Sequence, residues 1–519
     1  MLNILKLIGK ILLILLLSCP AWAVIYTTAK TGTDAASCVA NPPTTDCLTI
    51  QYMIANVDPE PGDYFVVRAG TYTEHVDTDA DDVGSAGLPV TLMGYAGETV
   101  IIDSDDSGPQ VVRADVNYFT VKDITIRNSS NYTGATVTIG LRLRGTNTTA
   151  DNVTVLDGFD NYAIHLDQAI PLSNVEVKNC TTVGSPKTNG AAGSISLVGT
   201  LQTNSNISIH DNNVTGTGYA AGVGHGIRVT GGAAGVITGL AVYNNVVTSV
   251  NEGGIDVCGN VTGNVYGNTV SATGANGIHS GGCATGDAVI DIYSNTLTDC
   301  GNDHPTDLSG ILLDAFSDGS NAFNNYINDA GESGVKASSD SNHDIYNNLI
   351  IASVEFGIEV RQSDAYPCIG DNIYNNTIYH DGSAACISFT TACAGNITNN
   401  ICMDSGTAAT GIYIHSGATV TENYNDIFGF TVNFADESGA IGAGAQSITS
   451  DPLFVNAAGG NFDLKTGSGA INTGADLGDT YTYDYRGRNQ DSFGSGWEIG
   501  ARIYPSRKIH RKISGQGVY

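Results

Sequence analysis

The chain has 519 residues, of which 64 are Gly and 45 are Asn. Only 14% of the residues are charged, and 52 acidic against 22 basic side chains give a formal net charge of −30. Binding to nucleic-acid phosphates requires a basic surface, so this charge argues against a nucleic-acid partner. A hydrophobic content of 41% argues against intrinsic disorder. In so long a chain, the excess of Gly and Asn favours one extended array of β repeats.

The first 23 residues have the pattern of a secretory signal peptide. Lys6 and Lys10 precede the apolar run 11–17, and residues 21–23 fit an A-x-A cleavage site. The apolar run is shorter than the ~20 residues that span a bilayer, and no later segment is apolar enough, so no transmembrane anchor is predicted. The residues leading to Cys19 also resemble a weak bacterial lipobox, which would attach a lipid there. We therefore expect a secreted or cell-surface monomer.

The ten cysteines after the signal peptide are an even number, as in proteins of an oxidising compartment. A local disulfide is expected between Cys38 and Cys47, which flank a short loop. No C-x-x-C pair occurs, which argues against a zinc site. Cys402 falls at an inward aliphatic position and is interpreted as a core residue. Further disulfide candidates are Cys258 with Cys283 and Cys368 with Cys393.

A short phrase recurs through the chain: a polar residue, Asn, any residue and an aliphatic residue. A second phrase, Gly-Ile-x-aliphatic, precedes it in most repeats, as in GIRV, GIDV and GIEV. Variable spacing around a constant phrase is typical of stacked coils whose insertions lie in the turns. With period-two alternation and no helical pattern, the repeats predict an all-β, right-handed parallel β-helix. The Asn positions are Asn212, Asn245, Asn268, Asn295, Asn325, Asn348, Asn376, Asn400 and Asn425.

Two side-chain stacks are expected from these repeats. The recurring Asn residues can form a hydrogen-bonded ladder at a turn, where left-handed backbone geometry also suits Asn. Tyr residues recur just before the Asn positions and are interpreted as a structural stack, although an aromatic stripe can also bind sugar rings. These Tyr residues are Tyr243, Tyr266, Tyr293, Tyr346 and Tyr374.

The ends of the array differ from its middle. Thr49 to Ala55 are predicted to form a short amphipathic helix over the first coil, which protects the open sheet edge. The run Asp77, Asp79, Asp81 and Asp82 lacks the Gly and Glu of an EF-hand, so we interpret it as an acidic solvated turn. The predicted boundaries are 24–107 for the N-terminal cap and first coils, 108–430 for the β-helix, 431–505 for a C-terminal β cap and 506–519 for a disordered basic tail.

Two segments carry a family resemblance. The segment TIQYMIANVDPEPGDYFVVRAGTYTE resembles the opening of pectate-lyase-like right-handed parallel β-helix proteins. The closing pieces DPLF, FDL, SGAINTGAD and WEIGA resemble the end segment of exported bacterial β-helix repeat proteins of variable cell anchorage. The resemblance implies the fold over nearly the whole mature chain. Such families include polysaccharide lyases, epimerases, glycoside hydrolases and proteins of no known activity, so it implies a polysaccharide partner and no particular reaction.

One outward face of the predicted β-helix concentrates the scarce basic residues. The residue after each leading Ile should point outward, and so should the residue two positions later. Neighbouring coils lie ~4.8 Å apart, so residues one or two coils apart are ~5–10 Å apart. We expect a glycan cleft here, with Arg228, His279, Tyr413 and His415 binding substrate. The basic residues of this face include Arg142, Arg144, Arg228, Lys336 and Arg361, with His165, His279 and His415.

The first hypothesis for this face is a uronan lyase that acts by β-elimination. Lys336 would remove the proton, and Arg361, one coil later, would neutralise the carboxylate or act as acid. This order resembles the Lys-then-Arg arrangement of alginate and chondroitin lyases. Those enzymes carry acidic calcium ligands shortly before the Lys, whereas here only Glu332 precedes it at close range. A Ca²⁺ ion held by Asp256, Asp314 or Glu359 could also neutralise the carboxylate.

Two alternatives stay open. In a non-catalytic surface or adhesive protein, alternating charges on an exposed sheet face would prevent aggregation and add weak cross-strand pairs. In a glycoside hydrolase, Asp314 and Glu359 would act as paired carboxylates at the wide spacing of inverting enzymes. The net charge opposes a polyuronate within the Debye length of ~8 Å, whereas a neutral glycan meets no such barrier.

Overall fold

The computed structural model describes residues 23–504, except 104–108, 128–138, 157–158, 160, 168–169, 185–192, 200–201, 217–223, 234, 284–285, 302–307, 340–341, 363–365, 367, 407–409, 440–441 and 493. Residues 1–22 of the predicted signal peptide, with Cys19, and the predicted tail 506–519 therefore lie outside the described residues. The chain divides into two compact units, residues 1–183 and 184–519. Among the described residues, no helix is long and apolar enough to cross a membrane.

The described residues of unit 1 form one short helix, α1 (Ile50–Asn56), and fifteen short strands. In chain order the strands are β1 Ile25–Thr28, β2 Tyr64–Val67, β3 Gly70–Thr73, β4 Val76–Asp77, β5 Val90–Gly94, β6 Val100–Asp103, β7 Gln110–Ala114, β8 Phe119–Lys122, β9 Thr125–Arg127, β10 Ile139–Leu143, β11 Thr149–Asp151, β12 Thr154–Leu156, β13 Tyr162–Asp167, β14 Ser173–Lys178 and β15 Thr181–Val183.

Unit 2 repeats the same short strands and adds an antiparallel pair and three 3₁₀ turns near its end. The strands are β16 Gly193–Gly199, β17 Asn204–His210, β18 Asn213–Thr215, β19 His225–Gly231, β20 Ile237–Tyr243, β21 Val246–Val250, β22 Ile255–Cys258, β23 Val261–Tyr266, β24 Thr269–Thr273, β25 Ile278–Ser280, β26 Ala288–Tyr293, β27 Thr296–Cys300, β28 Ile311–Leu313, β29 Asn321–Phe323, β30 Tyr326–Ala330, β31 Ser333–Ser338, β32 Asp344–Tyr346, β33 Leu349–Ser353, β34 Phe356–Arg361, β35 Ile369–Tyr374, β36 Thr377–His380, β37 Ala385–Phe389, β38 Ala394–Thr398, β39 Ile401–Asp404, β40 Thr410–Ile414, β41 Thr419–Asn423, β42 Asp426–Phe428, β43 Val432–Asp436, β44 Phe454–Asn456 and β45 Asn461–Leu464. The 3₁₀ turns are Ala457–Gly459, Asp479–Tyr481 and Gln490–Ser492.

In both units every third strand joins the same parallel sheet, so that each coil contributes one strand to each of three sheets. Sheet 1 contains β2, β5 and β8 in unit 1 and β17, β20 and β23 in unit 2; sheet 2 contains the strands that follow them, and sheet 3 the third strand of each coil. Inward aliphatic residues such as Ile255, Ile278 and Ile311 align at identical register positions and are fully buried. Each unit is a parallel β-helix, as the repeats predict.

The Asn ladder is confirmed. All nine Asn residues of the recurring phrase are buried, and eight of them donate through Nδ2 to Oδ1 of the next at 2.9–3.0 Å. Asn425 ends the ladder by donating to Glu422 at 2.7 Å. The left-handed backbone falls on the residue before each ladder Asn, for example Asn324 with φ 55°, rather than on the ladder Asn itself. The phrase therefore encodes a turn residue followed by a buried ladder residue.

The aromatic stack is also confirmed, with additional members. The rings of His210, Tyr243, Tyr266, Tyr293, Phe323 and Tyr346 stack face to face, with centroids 4.5–5.0 Å apart. Tyr481 from the C-terminal segment meets Tyr346 and Tyr374 edge-on, at 5.0 and 5.1 Å. Because neighbouring rings cover each other's faces, this column is a structural stack rather than an open platform.

The predicted N-terminal helix forms as α1, one residue later than expected. Thr49 caps its first turn by accepting a hydrogen bond from the backbone NH of Tyr52. Its buried residues Ile50, Met53 and Ile54 face the first strands of unit 1.

The acidic run that ends at Asp82 was interpreted as a solvated turn, and at Asp82 this is wrong. The Asp82 side chain is fully buried and accepts a hydrogen bond from the backbone NH of Asp79.

The C-terminal segment 451–504 packs against the outer side of sheet 2 of unit 2. Outward side chains of this sheet, Leu349 and Ile401, share a buried cluster with Phe454, Phe462 and Ile499. Hydrogen bonds also tie the segment to the turns of the coils, such as Asn399 Nδ2 to the carbonyl of Ala475 at 2.8 Å. The segment predicted as a cap therefore runs beside the coils and covers apolar residues that a regular coil would expose.

All three predicted disulfides form, and a fourth joins Cys386 and Cys402. The core interpretation of Cys402 is therefore incomplete: it is fully buried, and it is also bonded. Cys180 and Cys300 are buried and form no disulfide within the described residues. Burial raises the pKa of both thiols to about 12, so neither is a reactive thiolate at neutral pH.

Candidate functional site

The outward column of sheet 3 exists in unit 2 in the predicted register. From coil to coil its members are Arg228, Asp256, His279, Leu312, Lys336, Glu359, Ser388 and Tyr413. The second column places Ser338 beside Arg361, and Asp314 follows directly after β28. The sequence-predicted residues therefore share one face, with the apolar side chain of Leu312 separating two charged groups.

Although these side chains point away from the core, several are buried. Asp256, Glu359 and Lys336 are only 3%, 4% and 8% exposed. Charges on an open sheet face would be solvated, so this degree of burial disfavours the interpretation as a simple aggregation-blocking surface. Buried charges must be paired, so the partners of these side chains decide what the face can do.

Asp256 is the centre of the first charged group. Its Oδ1 lies 2.6 Å from Nδ1 of His279, and its Oδ2 lies 3.2 Å from Nε of Arg228. Arg228 also donates to Nε2 of His225 at 2.8 Å. On the far side of its ring, Nε2 of His279 lies 3.7 Å from Asp314, outside hydrogen-bond distance. The carboxylate of Asp256 thus orients an imidazole whose second nitrogen faces Asp314.

The protonation of this pair follows from its contacts. Burial raises the pKa of Asp256, but His225, His279 and Arg228 outweigh it and hold this pKa well below its usual range. Burial lowers the pKa of His279, but the carboxylates of Asp256 and Asp314 outweigh it and raise this pKa to about 10. At neutral pH, His279 is therefore an imidazolium and Asp256 a carboxylate.

A turn borders this group. Gly282 has φ +72°, and a Cβ at this position would lie 3.0 Å from the His279 ring and 3.1 Å from the Asp314 carboxylate. Glycine therefore allows the backbone to approach both side chains closely. The next residue, Cys283, is bonded to Cys258 in the adjacent coil, which holds the turn in place.

Lys336 is the centre of the second charged group. Its Nζ donates to both carboxylate oxygens of Glu332 at 3.0 Å and lies 3.8 Å from Glu359. Arg361, one coil later, lies 4.0 Å from the same Glu332. The structure thus brings together the two residues predicted to be catalytic, but both contact Glu332, and both oxygens of this carboxylate accept from the lysine Nζ.

The pKa values of two carboxyl groups near Lys336, those of Glu359 and Asp314, are shifted in opposite directions. Burial raises the pKa of Glu359, and Lys336 and Arg361 only partly oppose this. Burial also raises the pKa of Asp314, but His279, the Ala315 backbone NH and Lys336 outweigh it, so its pKa is lowered. Oε2 of Glu359 is buried without a hydrogen-bond partner among the described residues.

Tyr413 and His415 lie two coils beyond Glu359 and contact each other edge to face, with ring centroids 4.5 Å apart. The Tyr413 hydroxyl donates to Glu437 at 2.5 Å, and His415 lies 3.7 Å from the same carboxylate. These predicted substrate-binding residues therefore form a separate polar and aromatic group, apart from Arg228 and His279.

In unit 1 the outward columns of sheet 3 contain Arg142 and Arg144, and Asp115 lies 3.2 and 3.6 Å from them. Arg142 also pairs with Asp167 at 3.0 Å. Six basic side chains of the predicted cleft lie within 4.0 Å of a carboxylate: Arg142, Arg144, Arg228, His279, Lys336 and Arg361. The basic side chains do cluster, but each of these already has an acidic neighbour.

Calcium binding stays a prediction. Within the part of the chain that the structure describes, no group of three His, Cys, Asp or Glu residues is arranged to hold a metal ion. Asp256 already engages His279 and Arg228, and Glu359 lies beside Lys336. A cation at these carboxylates would have to displace basic partners, so these residues fit calcium poorly.

No family model and no curated protein matches the chain. Solved structures with similar coordinates include the alginate lyase from Paenibacillus sp. str. FPU-7 (13% identity, 77% of this chain and 98% of that chain, TM-score 0.35). Another is the pectate lyase Pel9A, with 14% identity over 93% of this chain and 97% of that chain and a TM-score of 0.34. A third is the GH136 lacto-N-biosidase from Eubacterium ramulus, with 13% identity over 82% of this chain and 68% of that chain and a TM-score of 0.41. At these values the fold rests on the strand pairing of this chain, and its chemistry must be argued from its own side chains.

Three residues of these groups were not among the sequence-predicted site residues: His225, Glu332 and Glu437. Each lies outside the two outward columns, at the start of a strand or in a turn. Only Glu332 carried a signal, its position shortly before Lys336, and that signal was interpreted as a misplaced calcium ligand rather than as an ion-pair partner.

Proposed function

We propose that the outward face of sheet 3 in unit 2 binds an extracellular polysaccharide and hydrolyses its glycosidic bonds. The column of buried titratable side chains supports a reactive site, because an inert surface has no need to desolvate so many charges. The four disulfides suit an oxidising compartment, where such a substrate is found.

The observation that carries the proposal is the opposite pKa shift of two carboxyl groups near Lys336. Glu359, with its raised pKa, would be the general acid that protonates the leaving oxygen. Asp314, with its lowered pKa, would be the base that takes a proton from the attacking water. The register places them two coils, ~10 Å, apart along the stack and in adjacent columns, so their side chains would have to turn toward each other to reach the ~6.5–9.5 Å separation of inverting enzymes.

The charge balance favours a neutral glycan. Lys336 and Arg361 both contact Glu332, and Arg228 and His279 both contact Asp256, so a uronate would have to compete with these carboxylates for each of these basic groups. The net charge of −30 adds long-range repulsion of a polyanion.

A uronan lyase with Lys336 as base and Arg361 as neutraliser is the second candidate. It is favoured by the placement of both side chains beside Glu332, one coil apart. In this mechanism Lys336 would have to lose its proton while both oxygens of Glu332 accept from it. Hydrolysis avoids that step, and for this reason it is preferred.

The proposal is tested on a panel of neutral polysaccharides and polyuronates, with two readouts: new reducing ends, and the ultraviolet absorbance of unsaturated products. We expect reducing ends without absorbance from a neutral glycan. Glu359→Gln and Asp314→Asn should each lower kcat by about 10²–10⁴-fold, the usual contribution of acid–base catalysis. Glu355→Gln and Asp318→Asn remove exposed carboxylates nearby and should leave kcat unchanged.

The two readouts also separate the alternatives. Absorbing products that disappear in Lys336→Ala would replace hydrolysis by the lyase mechanism. Full activity in Glu359→Gln would remove Glu359 as the acid. Retention of a polysaccharide without either product would reduce the proposal to binding.

A further inference from the structure

A pair of aromatic rings lies close to the first charged group and is not used by the chemistry proposed above. The rings of Phe316 and Tyr366 meet at 64°, with centroids 5.3 Å apart. Tyr366 is 47% exposed, although an aromatic side chain gains most from burial. The two rings form an open corner at the surface.

The chain connects this corner directly to the proposed base. Phe316 follows Asp314 by two residues, a span of at most ~7 Å along the backbone. The carbonyl of the intervening Ala315 accepts from the backbone NH of Gly282 at 2.6 Å. Gly282 is the residue against which the His279 ring and the Asp314 carboxylate lie. The corner and the charged group therefore border the same turn.

The backbone of Phe316 supports a functional reason for the ring. Phe316 has φ +66°, a left-handed conformation that bulky residues rarely adopt. Most other residues of unit 2 with this conformation are Asn, Asp or Gly, which adopt it at lower cost. Residues kept in unfavourable conformations cluster at binding and active sites. The turn itself would be satisfied by Asn or Gly, so the aromatic ring needs another explanation.

We infer that Phe316 and Tyr366 form a binding corner for one sugar ring of the polysaccharide, next to the bond that is cleaved; this rests on the proposed function. The apolar C–H face of a pyranose packs on an aromatic face, while its hydroxyl groups stay in water. The stacked column from Tyr243 to Tyr346 cannot do this, since its ring faces are covered. In an edge-to-face pair the edge of one ring covers one face of the other, and the remaining ring faces are not stacked.

The inference is tested by affinity electrophoresis in gels containing the polysaccharide, in the Glu359→Gln background, so that binding is measured without turnover. Tyr366→Ala should weaken retention by about tenfold, the equivalent of one aromatic contact. Tyr366→Phe keeps the ring and should keep most of the affinity. Tyr483→Ala removes another tyrosine that is 55% exposed, in the C-terminal segment, and should have no effect.

Tyr366 carries the test because Ala at position 316 would also alter an unusual turn. Unchanged retention of Tyr366→Ala, with wild-type retention measurable, would overturn the sugar corner. If the otherwise wild-type chain binds a polysaccharide but does not cleave it, and Tyr366→Ala abolishes binding, the hydrolytic function fails and the corner stands. If no polysaccharide on the panel is retained, both fail.

Discussion

Replacing Asn325 by Ala is expected to lower the free energy of unfolding of unit 2 by about 3–5 kcal/mol, since buried polar groups lose their partners and a cavity remains. The Asn325 side chain accepts from the backbone NH and the Nδ2 of Asn295, both at 3.0 Å. It donates to Asn348 at 3.0 Å and to the carbonyl of Ile292 at 2.9 Å. The substitution removes all four bonds where water cannot replace them, because the side chain is fully buried.

Urea unfolding followed by circular dichroism measures this effect, with Asn396→Ala as the matched control. Asn396 donates to Asn372 at 2.8 Å on the partly exposed outer side of sheet 1, where water can replace the lost bond. We expect Asn396→Ala to lower the free energy of unfolding by less than about 1 kcal/mol. Equal losses for the two variants would show that the buried ladder adds nothing beyond an ordinary amide pair.

Raising the pH from 5 to 8 is expected to destabilise the protein by several kcal/mol, at about 1.4 kcal/mol per pKa unit. Burial raises the pKa of Asp82, Asp426 and Glu498 to about 7 each. Between their ordinary pKa values and about 7, the unfolded chain is ionised while the folded chain retains the protons. The folded state binds more protons in this window, so stability falls as the pH rises through it.

Thermal unfolding between pH 5 and 8 tests this expectation, together with Asp426→Asn and Glu498→Gln. Each neutral variant should make the melting temperature depend less on pH and should raise the melting temperature at pH 8. His380 acts in the opposite direction: burial lowers its pKa to about 4, so it favours the folded state as the pH rises from about 4 to 6.5. A melting temperature that increases steadily from pH 5 to 8 would mean that the three carboxyl groups ionise freely in the folded protein.

Much of the fold was predictable because two short phrases recur in most coils of unit 2. Alternation after each leading Ile placed Asp256, His279 and Lys336 in one outward column, and the strand register confirms that placement. The recurring Asn predicted the ladder, because identical side chains one coil apart must meet in a parallel stack.

Features set by contacts between non-repeating segments were not predictable. Glu332 lies in a turn, and no pattern relates it to the ammonium group of Lys336. The Cys386–Cys402 bond joins inward residues of different sheets, which the sequence spacing does not distinguish from two packed core residues. The C-terminal segment folds back on Leu349 and Ile401, although local sequence does not specify which coils receive it.

Two disulfides each span one coil, Cys258 to Cys283 and Cys368 to Cys393. The first joins the coil of Asp256 to that of His279, and the second joins the loop after Arg361 to the loop after the next strand of sheet 3. A stack of coils unravels from its ends, since the strands of each coil pair only with those of the neighbouring coils. Unfolding that proceeds from an end and reaches either disulfide must stop there or unfold the two linked coils together. The coils with Asp314, Lys336 and Glu359 lie between these covalent links, so they should be the last part of unit 2 that a protease or a pulling force can open.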